Sequence, residues 1–264
     1  MRLFLILTTF FFLLGCEEVI DLELNEMAPK LVVDASINIL KEDGAPYESR
    51  VLLTTTGGFY DESETPILDA LVLIRSENET VEFHHSENGK YVADFTPQPG
   101  IEYKLIIIYE GETYSATTKL VTTSSIEHIE QRNDGGFFGD QIELKAYFLD
   151  PGDQENYYYT VTESVHGVRR DVLSDQFFNG NSIFSYYSHK NLSGGDVVYF
   201  HLFGVNESFF NYMNLLLEQT GSGGPFGTHP STVRGNIVNE NTPENFAFGY
   251  FRISEVSVKS YVVE

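Results

Sequence analysis

The chain has 264 residues, 39 of them acidic and 16 basic, for a net charge of −23. That balance argues against nucleic acid as a partner, because phosphate binding needs a positive footprint, and against the bare protein surface docking on anionic headgroups. The length suffices for one large domain or two medium ones with real cores.

The first feature along the chain is an apolar run from Leu3 to Leu14 behind a single positive side chain, Arg2. As a helix it would span about 18 Å, well short of the roughly 30 Å of hydrocarbon a membrane span must cross. Glu17, Glu18 and Asp21 bar its extension. A basic start, an apolar middle and a small residue at the break describe a secretory signal peptide over residues 1–15. A buried core helix is the competing reading, but a terminal run with no polar face suits export better. Leu13-Leu14-Gly15-Cys16 resembles a bacterial lipobox. In that chemistry the thiol takes a diacylglyceryl group through a thioether, and a peptidase then cuts between Gly15 and Cys16. Leu14 departs from the commoner alanine, serine or threonine. Each buried methylene contributes about 0.8 kcal/mol, so two or three acyl chains make a stable anchor. Cys16 is the only cysteine, which leaves no disulfide within the chain. The expected mature protein starts at Cys16, with residues 16–28 as an acidic tether.

Strand signals then come at regular spacing. Leu31 to Ile37 is β-rich, and Lys41 to Tyr47 carries turn residues. Arg50 to Thr56 is the next strand and Gly57-Gly58 breaks it. Ala70 to Arg75 follows, then Val81 to His85 and Lys90 to Phe95 as a hairpin with Asn88-Gly89 in its loop. Glu102 to Tyr109 and Thr113 to Lys119 form another across Glu110-Gly111. The pattern is that of an antiparallel, immunoglobulin-like sandwich over residues 29–122. Val121 to Ser125 reads as a boundary. A second antiparallel β-domain follows over residues 126–264, with strands at Gln141 to Phe148, Asn156 to Ser164 and Val197 to Phe203. There the period changes: residues 207–219 place Phe209, Phe210, Met213, Leu216 and Leu217 on one stripe, with Asn206 to cap the start and Gly221 just past the end. Phe246 to Ile253 and Glu255 to Val262 close the chain as two strands. The fold class is therefore all-β, with one amphipathic helix in its second half.

Several segments together resemble one family, the Bacteroidota outer-membrane lipoproteins grouped as domain of unknown function four-two-four-nine. They are the lipobox with Glu17-Glu18-Val19-Ile20, the first strand at Lys30 to Asp34, Asn88-Gly89-Lys90-Tyr91, and Tyr103-Lys104-Leu105 with Tyr114-Ser115-Ala116. Phe148 to Gly152, Asn156-Tyr157-Tyr158, Gly195 to Val198, the helix and Ala247 to Phe251 continue the likeness, which spans nearly the whole chain. The resemblance implies location more than activity. Such proteins look like partners of TonB-dependent outer-membrane transporters, and the family offers no catalytic residues to carry over. Acidic residues straight after Cys16 also resemble the signal that sends such lipoproteins to the outer face of the outer membrane, rather than leaving them on its periplasmic side.

Few residues suggest chemistry. The seven histidines are scattered, and His84-His85 on a strand would point to opposite faces, so the two cannot share a metal. There is no G-x-S-x-G elbow, and the lone thiol is consumed by lipid. The best metal candidate is Asp150, Asp153 and Glu155, whose oxygens would suit Ca²⁺. Asp-Pro-Gly-Asp is equally what a plain β-turn prefers. Gly221 to Gly227 follows a helix instead of opening one, so it is no phosphate loop. Phe226 at its tip is a candidate partner contact. No Trp accompanies the 21 Phe and 16 Tyr, which counts against a carbohydrate-stacking platform. The expected function is a non-enzymatic, lipid-anchored accessory protein, without cofactor, that assists a TonB-dependent transporter in nutrient capture or uptake. A stand-alone glycan- or peptide-binding module and a hydrolase with a site built from distant residues are the alternatives.

Overall fold

In Leu31–Leu40 (β1) the side chains of Leu31, Val33, Ala35, Ile37 and Ile39 are all buried, while their even-numbered neighbours are mostly half-exposed. That alternation is the signature of a strand with one face on a core. A computed structural model of the chain describes residues 28–57, 64–136, 139–220 and 232–264. After β1 come Arg50–Thr55 (β2), Thr65–Pro66 (β3), Leu71–Arg75 (β4), Thr80–Glu87 (β5), Lys90–Val92 (β6), Glu102–Tyr109 (β7) and Glu112–Val121 (β8). The second half holds Ile126–Gly135 (β9), Gln141–Leu149 (β10), Tyr157–Ser164 (β11), Gly167–Ser174 (β12), Ser182–Ser188 (β13) and Val197–Val205 (β14). The helix Glu207–Thr220 (α1), then Val238–Asn239 (β15) and Phe248–Val262 (β16), complete it. Among the described residues no helix is long and apolar enough to cross a membrane.

The two expected hairpins are present. Asn88 and Gly89 have φ of 45° and 75°, and Glu110 and Gly111 have φ of 50° and 79°. Positive φ at both central residues is the type I′ turn that matches strand twist. β5 changes partners midway: Thr80 to Phe83 pair with β4, and His84 to Glu87 pair with β6. It thereby joins the two layers of an immunoglobulin-like sandwich, whose core holds Val33, Ile37, Leu53, Ile74, Leu105, Ile107, Phe251 and Ile253.

β16 is one strand of 15 residues, where two strands were expected. Its first part lies parallel to β1, from Val32↔Phe248 to Leu40↔Val256. Its last part pairs antiparallel with β14, from Phe203↔Val256 to Val197↔Val262. The strand therefore crosses the expected boundary near residue 122 and makes one sheet, ordered β12-β11-β14-β16-β1-β2, out of both halves. A smaller sheet, β13-β10-β9, packs on its second half, with Leu144, Phe148 and Tyr187 against Tyr158, Phe200 and Leu202.

Alternation along β16 sorts its side chains. Phe251 and Ile253 enter the first core and Tyr261 packs on the second, so one face serves both sandwiches. Tyr250, Arg252, Val256 and Val258 point the other way, toward α1. The seam between the two halves thus has a second, partly open face.

Candidate functional site

That second face carries a cavity of about 420 Å³. β1 supplies Asp34, Ser36 and Asn38, and β2 supplies Arg50. β11 brings Tyr159, Val161 and Glu163, with Arg170 beside them on β12, while β14 brings His201 and Phe203. β16 forms the floor with Gly249, Tyr250 and Arg252, and α1 covers the site with Phe209, Tyr212 and Met213. The helix is held at this angle by its first turn. Asn206 Oδ1 accepts the Phe209 backbone N–H at 2.8 Å, as a helix cap does, and also the Tyr250 hydroxyl at 3.3 Å. Phe209 is the fully buried residue of the helix; Phe210, Tyr212 and Met213 pack beside it half-buried.

The polar groups of the cavity are mostly tied to one another. Asp34 takes Arg50 Nη2 at 3.0 Å on one oxygen and the Ser36 hydroxyl at 2.9 Å on the other. His201 is buried, with Nδ1 3.2 Å from the Val161 carbonyl and Nε2 2.9 Å from the Tyr47 hydroxyl. A carbonyl can only accept, so Nδ1 carries a proton, while Nε2 shares a hydrogen bond with the Tyr47 hydroxyl. Arg252 is different. Its guanidinium lies over the rings of Phe203, Phe209 and Tyr159, with centroids at 4.6, 5.5 and 5.7 Å. It donates one hydrogen bond, from Nη1 to Asn38 Oδ1 at 2.7 Å. No carboxylate of the described residues forms an ion pair with it; the nearby Asp34 is paired to Arg50. Burial pulls the guanidinium below its ordinary value, against the favourable charges of Tyr159 and Asp34, yet it remains a cation at neutral pH. Arg50 Nε is also buried without an acceptor among the described residues.

Burial acts on the phenols in the opposite sense. Tyr212 is pushed up to about 12, chiefly by burial and secondarily by Asp34 and Tyr250. Tyr158 is raised further, by burial and by its bond to Asp150. A raised phenol keeps its proton longer in the folded state than in the unfolded one. Its stabilisation is intact below the unfolded value of about 10 and is lost as pH rises through the folded value. Phenolate absorbance at 295 nm is therefore expected to lag behind a free-tyrosine titration and to complete only as the far-ultraviolet circular dichroism collapses. Full ionisation while the fold is intact would contradict this.

The residues singled out from sequence lie elsewhere. Gly15, Cys16 and Phe226 fall outside the described residues. Asp150 is buried, one oxygen accepting the Tyr158 hydroxyl at 2.6 Å and the other the Gly180 N–H at 3.0 Å, whereas Asp153 and Glu155 are exposed. Among the described residues no group of three or more His, Cys, Asp or Glu side chains is placed to hold a metal ion. His84 lies 3.5 Å from Glu82, and the His85 ring meets Tyr91 edge-on at 5.4 Å. Sequence reading missed Arg252, His201 and Tyr212. The available signal was Arg252 itself, a full charge set between Phe251 and Ile253 in a strand buried on both faces.

A family model described as "Domain of unknown function (DUF4249)" matches residues 17–260. No curated protein matches the chain. Among solved structures, a two fibronectin type-III domain segment from chicken tenascin is similar at 13% identity. The match covers 67% of this chain and 91% of that one, with a TM-score of 0.21.

Proposed function

We propose, from the premise that the chain belongs to the DUF4249 family, that it is a lipid-anchored outer-membrane protein that captures a small ligand without chemistry. In this reading Cys16 carries the anchor, the acidic residues behind it direct the protein to the outer face, and a TonB-dependent transporter is its partner in uptake. The observation that carries the capture role is the seam cavity. Its volume lies within the range of small-molecule sites, and its walls are aromatic with a few fixed polar groups. Those groups are spent on holding one another, as the Asp34–Arg50 and Tyr47–His201 contacts illustrate, which suits recognition better than proton transfer. Cys16, preceded by Gly15 and followed by Glu17-Glu18, supports the anchor.

Two measurements on the native protein test this. Mass spectrometry is expected to find an N-terminal peptide that starts at lipid-modified Cys16; a Met1 start or a free thiol overturns the anchor. Affinity purification of the tagged protein in mild detergent is expected to bring down an outer-membrane transporter in comparable amount. Recovery of the protein without one overturns the partnership and leaves the cavity to be judged separately.

A further inference from the structure

We propose that the seam cavity takes a small organic monocarboxylate with an apolar, ring-sized body, its carboxylate seated on Arg252. This rests on the capture role proposed above and specifies the ligand's charge and shape.

A guanidinium presents donors around its plane, and the Arg252 group satisfies one of them on Asn38. The rings of Phe203, Phe209 and Tyr159 surround it with apolar surface. Its remaining N–H groups make no hydrogen bond among the described residues, and a guanidinium edge pairs with a carboxylate through two parallel hydrogen bonds. A cation taken out of water without a counterion is costly, and burial makes it hold a matching anion more tightly than a surface arginine would. Asp34 lies near but makes no ion pair with it, its oxygens accepting from Ser36 and Arg50 instead.

The rest of the cavity sets the body of the ligand and limits its charge. Tyr212, Tyr250 and Met213 face the space beside Arg252 with largely apolar surface, which suits an aromatic or branched aliphatic group. Glu48 and Glu163 stand exposed at the lining, and three acidic side chains balance three arginines. With a net charge of −23 on the chain, this surrounding field disfavours phosphates and other multiply charged anions. A cationic ligand would meet Arg252, and a neutral one would leave it unpaired.

The test is isothermal titration of the full-length protein in detergent with three probes of one shape: phenylacetate, phenylacetamide and phenethylamine. Phenylacetate is expected to bind with Kd of about 1 mM or tighter, at least ~10-fold ahead of the amide, with no heat from the amine. Arg252→Gln is expected to weaken phenylacetate at least ~30-fold, while Arg252→Lys keeps part of the preference. Met213→Trp, which fills the space while leaving Arg252 in place, is expected to weaken binding as well. It keeps the proposal testable where the Arg252 variants fold poorly. Equal binding of the amide, or phenylacetate binding that survives Arg252→Gln, overturns the carboxylate assignment and leaves the capture role standing. Absence of binding by all three probes at ~10 mM overturns both.

Discussion

Replacing Gly249 by alanine is expected to destabilise the protein by about 4 kcal/mol or more, a large part of a typical folding free energy. Two costs add at this position. Gly249 has φ of +95°, a conformation that side chains avoid. A Cβ built there would also stand 1.9 Å from the Val33 carbonyl oxygen, 2.7 Å from its carbon and 2.9 Å from its nitrogen. All three are backbone atoms of β1, paired with β2 on its other edge, so nothing can move aside cheaply. Gly111 gives the comparison. Its φ is +79° and nothing lies within 4 Å of an added Cβ, so Gly111→Ala carries the backbone cost alone, about 1 kcal/mol. Urea unfolding of the two variants separates the effects, and similar midpoints would refute the close approach of β16 to β1. Because Gly249 and Arg252 both line the cavity floor, a displaced β16 is expected to cost phenylacetate binding as well.

β16 also shows why the fold was only partly legible. Phe246 to Ile253 and Glu255 to Val262 read as two strands, with Ser254 as the polar break between them. In the folded chain Ser254 and Ser257 are buried, and Ser257 Oγ accepts the Ile126 N–H at 3.0 Å. The polar residues fall where the strand passes from one sandwich to the other, a tertiary circumstance that local pattern does not carry. β9, β12 and β13 were missed for a different reason. Each lies at the margin of its sheet, and such strands tolerate charge, as Glu127, His128 and Glu130 on β9 and Arg169, Arg170 and Asp171 on β12 show. β4, β7, β8, β10, β11 and β14 are bracketed by partners, alternate more cleanly, and were placed to within a few residues.

The cavity was beyond sequence reading in a stricter sense. Asp34 and Arg50 come from the start of the chain, Tyr159 and His201 from its middle and Arg252 from its end. No spacing rule joins residues so far apart; only the parallel register of β1 with β16, which sets Asp34 against Tyr250 and Ser36 against Arg252, brings them together. By contrast, the helix over it was legible to within a residue, because its cap and its 3.6-residue period are local.

Asp150 carries the second large effect: Asp150→Ala is expected to cost roughly 3 kcal/mol, since a buried phenol and a backbone N–H lose their acceptor at once. They are the Tyr158 hydroxyl at 2.6 Å and the Gly180 N–H at 3.0 Å. Asp175 does the same work in reverse, its Oδ2 accepting the Asn156 N–H at 2.7 Å. The two buried acids thus lace the turn after β10 to the segment after β12, where Asp150 N also donates to the Asn181 carbonyl at 3.1 Å. Tyr158→Phe, which leaves Asp150 one donor, is expected to cost about 2 kcal/mol, and the pair to be coupled by about 1 kcal/mol or more in a double-mutant cycle. Asp150 is buried with a protein donor on each oxygen, and among the described residues no three such side chains are placed to hold an ion. Addition of Ca²⁺ or of a chelator is therefore expected to shift Tm by less than ~1 °C, where a bound ion at a hundred times its Kd would add about 2.7 kcal/mol. A rise of several degrees with Ca²⁺, abolished by Asp153→Asn with Glu155→Gln, would mean that the turn opens to take the ion and that the hydrogen-bonded form is its empty state.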